Sequence, residues 1–157
     1  MSPLLDYQQK MINLFIKQER TIAEMYHLMS GLFPQHKDFF LSVHKEELMH
    51  AQWLEQLSKK AVAGNVIFHE DKTRTYTVQA FLDYLNKSLD QVKSGLPLRE
   101  AMSIAMGAEE ALLERKILDH FDGDSPVMMD TLKKLRDESG LHLKKLKDFW
   151  ARIKEAR

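Results

Sequence analysis

Apolar residues recur every three or four positions along four long stretches of this chain, and a polar or ionisable side chain interrupts each stripe near its middle. The first stripe reads Met11, Phe15, Glu19, Ile22, Tyr26, Met29. The second reads Phe40, Val43, Glu47, His50, Leu54, Leu57. A weaker third reads Met102, Ala105, Glu109, Leu112, and the fourth reads Met128, Leu132, Leu135, Ser139, His142, Leu146, Phe149, Ile153. This spacing is that of an α-helix with one buried face. Burying an uncompensated carboxylate costs several kcal/mol, so the polar residues must answer one another. The pattern therefore predicts helices packed with Glu19, Glu47, His50, Glu109 and His142 meeting at one level.

The helix punctuation agrees. Ser2-Pro3 reads as an N-cap followed by proline at the first helical position, with helix 1 running to about Ser30, before Gly31 and Pro34. Helix 2 is expected from about Gln35 to Val62, then a polar loop from Ala63 to Thr77, and a shorter helix from about Val78 to Lys93, ended by Gly95. Pro97 opens helix 3, expected to reach about Phe121. Asp122-Gly123-Asp124-Ser125-Pro126 reads as a turn and cap, and helix 4 as running to near Glu155. No period-2 strand pattern of useful length is present. Helices 1 and 2, and helices 3 and 4, have short connections and should be antiparallel. The long segment between helices 2 and 3, with its own helix, is able to return along the bundle. The expected fold is all-α, a four-helix bundle with a long helical crossover between helices 2 and 3, in a single domain over residues 1–157.

Composition narrows the chemistry. The chain has no cysteine, which removes thiolate zinc sites, iron–sulfur clusters and Cys nucleophiles. Lys plus Arg (23) equals Asp plus Glu (23), a balance unsuited to the nucleic-acid backbone. No apolar run is long enough for a transmembrane helix, and the N-terminus does not read as a secretory signal, so a cytoplasmic location is the expectation. Any metal must be held by carboxylate and imidazole, a donor set that suits iron, manganese or zinc. Glu47 and His50, three residues apart, can reach one metal from one helix face.

The segment Glu46-Glu47-Leu48-Met49-His50 on helix 2, Glu19 with Tyr26 on helix 1, Ala105, Glu109, Glu110 and Glu114 on helix 3, and His142 on helix 4 together resemble the ferritin-like superfamily, and within it the rubrerythrin-like di-iron carboxylate proteins. The resemblance spans nearly the whole chain. It implies two iron ions. Glu19 would be a terminal ligand and Glu47 a bridging one, with His50 on the same metal as Glu19, and Glu109 and His142 would serve the second metal. It also implies peroxide or dioxygen reduction, and a homodimer by analogy. Two departures stand out. Ser139 occupies the position three before His142 where the pattern calls for Glu, so Glu138 is expected to swing inward on a π-bulge near Gly140. No rubredoxin-type module exists, so any electrons must come from an unidentified donor.

Other signals read as ordinary structure. His44 to His50 lacks the spacing of a zinc-protease motif, Asp122-Gly123-Asp124 lacks the ligands of a calcium loop, and Met102, Met106, Met128 and Met129 read as core fillers. Tyr26 reads as a packed aromatic. Lys133, Lys134, Lys144, Lys145 and Lys147 read as a solvated face, and Phe149 with Trp150 as a core cap or dimer seam. The rival to a metal protein is a non-catalytic dimerising or interaction bundle whose metal site has degenerated.

Overall fold

The computed structural model describes residues 6–64, 66–68, 75–112, 121–123 and 126–155. The expected start at Ser2-Pro3, the continuation of helix 3 over 113–120 with Glu114, the cap at Ser125, and the side chains of Leu112, Met128 and Ser139 lie outside the described residues. The chain is all-α in class. Among the described residues the helices are α1 (Asp6–Leu32), α2 (Lys37–Val62), α3 (Thr75–Lys93), α4 (Leu98–Leu112) and α5 (Pro126–Glu155), with a 3-10 turn over Pro34–His36 between the first two.

The helix ends have local causes. Phe33 N donates to Met29 O at 2.9 Å and His36 N to Phe33 O at 2.9 Å, which tightens the chain into the turn that Pro34 opens. Gly64 adopts φ +87° just past α2, and Gly95 φ +91° just past α3. Both conformations are strained for any residue with a Cβ. The carbonyl of Pro97 accepts the first bond of α4, from Ala101 N at 3.0 Å.

Cross-helix pairs give the directions. Gln9 meets Ser58, Ala23 meets His44, and Phe33 meets Phe40, so α1 and α2 are antiparallel. Phe39 stacks on Phe149, Ser42 meets Lys145, and Glu46 meets His142, so α2 and α5 are antiparallel as well. Gln18 Nε2 donates to Val78 O at 2.9 Å and Glu24 approaches Lys93, so α3 runs beside α1 in the same direction. It carries the chain back past the length of α2. Helix α4 joins α1 through Tyr26 and α5 through His142, both by way of Glu109.

All six stripe residues expected on α1 and all six on α2 are buried, as are Met102, Ala105 and Glu109 on α4. On α5, Leu132, His142, Leu146 and Phe149 are buried. Phe39 and Phe149 stack face to face with ring centroids 3.6 Å apart, and Phe40 meets Phe149 edge-on. Burying each of these large side chains contributes roughly 1.5–3 kcal/mol.

The structure corrects the sequence reading at several places. Met129, read as a core filler, is 61% exposed on the outer face of α5. Two short strands, β1 (Val66–Phe68) and β2 (Phe121–Gly123), pair antiparallel with Val66 opposite Gly123. A three-residue strand is too short to leave a period-2 signal. Phe121 is therefore in a strand rather than at the end of helix 3, and Asp122-Gly123 belongs to the same ladder rather than to a turn. Lys145 is only partly solvated: it turns toward α2, where its Nζ lies 2.7 Å from Glu46 Oε1 and 3.0 Å from Ser42 Oγ. No helix among the described residues is long and apolar enough to cross a membrane.

Candidate metal centre

The five stripe residues come together. Glu19, Glu47 and His50 form one group, and Glu47, Glu109 and His142 a second; within each group the potential ligand atoms lie within 4.8 Å of one another. Glu47 belongs to both. Relative exposure is 1% for Glu19, 0% for Glu47, 6% for His50, 4% for Glu109 and 4% for His142. Helix geometry produces this. Glu47 and His50 are separated by one turn on α2, whereas Glu19, Glu109 and His142 are each presented by a different helix.

His142 is the hub of the polar network. Its Nδ1 lies 2.7 Å from Glu46 Oε2, and its Nε2 lies 2.6 Å from Glu47 Oε1 and 3.1 Å from Glu109 Oε1. Burial alone would lower the pKa of this imidazole, but hydrogen bonds to Glu109, Glu46 and Glu47 outweigh it and hold the pKa above its ordinary value. Burial likewise pushes the Glu109 carboxyl up. Contacts with His142, Glu47 and Tyr26 more than offset that, and it sits below the usual carboxylate range. Glu46 is only partly buried. Its bonds to His142 and Lys145 overcome desolvation and bring its pKa to about 2. The Tyr26 hydroxyl, fully buried, donates to Glu109 Oε1 at 2.8 Å. Trp53 lies against His50 with ring centroids 4.8 Å apart.

The donor set fits a cation. Three carboxylates are buried together, and Glu47 and Glu109 lie within hydrogen-bonding reach of each other. Two carboxylates that close require a proton or a cation between them. Among the described residues no Lys or Arg is buried, so the buried groups able to carry positive charge are His50 and His142. Oxygen and imidazole donors with no thiolate suit iron, manganese or zinc.

Glu138 departs from expectation. Residues Pro126–Glu155 form an unbroken α-helix with no π-bulge, and Glu138 is exposed at the lip of a cavity between α2 and α5. Gly140 weakens the helix but adds no residue to the turn, so nothing rotates position 138 inward. The sequence reading gave no role to Glu46 and treated Tyr26 as simple packing. A Glu directly before Glu47 is the signal for Glu46, since it projects from the next position around α2 toward α5. No family model, curated protein or solved structure matches the chain.

Proposed function

We propose that this chain is a rubrerythrin-like protein with a ferritin-like four-helix arrangement of α1, α2, α4 and α5, crossed over by α3, that binds two metal ions, iron first and manganese or zinc as alternatives. The observation that carries this reading is the pair of fully buried ligand groups sharing Glu47. Glu19, Glu47 and His50 would hold one ion, and Glu47, Glu109 and His142 the other. Iron would supply two-electron reducing capacity toward peroxide or dioxygen, which makes an oxidoreductase of the peroxidase type the proposed activity, with electrons from a separate donor.

The protein's own groups prepare the site. Glu46 holds His142 through Nδ1, which points Nε2 at Glu47 and Glu109. A carboxylate behind a metal-binding imidazole fixes its tautomer and raises its basicity. Tyr26 anchors Glu109 from α1 and holds a proton at that carboxylate's edge. Apolar neighbours on the same stripes, Ile22 and Leu54 among them, are buried and keep water from the centre everywhere but along the α2–α5 cavity wall.

A second reading has its own observation. His142 forms ion pairs with three carboxylates, Glu46, Glu47 and Glu109, at 2.6–3.1 Å, and such a self-paired polar core supports a non-catalytic interaction bundle with a degenerate site. Metal content separates the two. The first reading expects two irons per chain after anaerobic loading, and the loss of both in Glu47→Ala. No iron uptake, with an unchanged melting temperature, supports the second, because ligands bound to the native state must raise stability.

A further inference from the structure

Between α2 and α5 lies a cavity of about 300 Å³, walled in part by Met49, His50, Leu141, His142 and Lys145. His50 belongs to one ligand group and His142 to the other, so the cavity reaches both. The two helices differ at matching places. Three residues before His50 on α2 stands Glu47, whereas three residues before His142 on α5 stands Ser139. Among the described residues α5 gives the centre one ligand, His142, where α2 gives two, and no residue of α5 three before that histidine carries a carboxylate. Two divalent ions together with Lys145 would bring five positive charges against the four negative charges of Glu19, Glu46, Glu47 and Glu109, and three ligand atoms per ion would leave room for a further donor.

We propose that a small organic carboxylate from outside the chain enters this cavity and supplies the carboxylate that α5 lacks. The inference rests on the two-metal reading above. The cavity is about ten times the share of volume of one water molecule, so it holds more than a simple inorganic ion. Met49 and Leu141 are both exposed at its wall, Leu141 at 64%, and offer an apolar surface to a short alkyl tail. The ammonium of Lys145 adds positive charge near the entrance, although Glu46 already engages it. Glu138, an exposed carboxylate on the cavity wall, repels a second anionic group and so favours a ligand with a single anionic head and an uncharged tail.

The test uses the full chain loaded with Co2+, whose uptake is measured first by elemental analysis. Acetate, butyrate and hexanoate are then titrated, with chloride and phosphate alongside, and binding is read from the Co2+ absorption bands and by calorimetry. One carboxylate per chain is expected, with affinity rising roughly two- to fourfold per methylene. Ser139→Glu should keep two Co2+ and lose the carboxylate response. Leu141→Ala, at an exposed position, should keep acetate binding and flatten the dependence on tail length. Two Co2+ with no response to any carboxylate, or phosphate binding more tightly than hexanoate, overturns this inference and leaves the two-metal reading intact. Fewer than two Co2+ in the unmodified chain overturns both.

Discussion

Glu46 and His142, on antiparallel helices, meet through Oε2 and Nδ1 at 2.7 Å, and Lys145 closes on the other oxygen of the same carboxylate at 2.7 Å. The imidazole is thereby fixed from behind by a group that is not itself in either ligand group. Glu46→Gln keeps the size of the side chain and can still accept one bond, but it loses the charge. Metal affinity is expected to fall about 10- to 100-fold. Competition with a chromogenic chelator measures it, and unchanged affinity would remove Glu46 from the site.

The metal-free protein should have a stability optimum in mildly acidic solution. Glu46 titrates at about 2 when folded against 4.5 for an ordinary glutamate, so its contribution is complete above 4.5 and is lost as pH falls toward 2. His142 is shifted the other way. Its contribution is complete below the ordinary histidine value of 6.5 and is lost as pH rises through its raised folded pKa. The two together favour the interval between 4.5 and 6.5. Melting temperatures of the chelator-treated protein across pH check this, and a Glu46→Gln variant should have a shallower acid limb, the part that remains coming from the lowered Glu109 carboxyl.

Gly140→Ala should stabilise the protein by about 0.5–1 kcal/mol. The residue is exposed inside α5, and a Cβ placed there meets nothing within 4 Å. Thermal melts of both forms measure the gain. A loss of stability would mean that the helix needs the glycine for a distortion at this turn.

Tyr26→Phe removes the donor to Glu109 while leaving the buried ring in place. The carboxylate then loses one of its partners in a site without bulk water, and a cost of about 1–3 kcal/mol follows in the metal-free protein. Urea unfolding supplies the number. A cost near zero would show that the bond is incidental to packing.

The helices and most of the site were legible in the sequence because both rest on local periodicity. Glu19, Glu47, His50, Glu109 and His142 each interrupt an apolar stripe, and the buried faces follow those stripes. What escaped depends on pairing between distant segments. The ladder of Val66–Phe68 with Phe121–Gly123 joins two connections, each too short to show alternation. Lys145 sits among lysines that do face solvent, and only the approach of α2 turns it inward. Glu138 stays outside because α5 keeps an uninterrupted helical register, which leaves position 138 off the buried stripe that carries His142.

The double membership of Glu47 would make the two ligand groups of the proposed two-metal protein one thermodynamic unit. A carboxylate engaged on the His50 side would be less available on the His142 side, and linkage requires the reverse effect to be equal in free energy. Occupancy would then be described by two stepwise macroscopic constants for the pair, and neither constant would belong to one group alone.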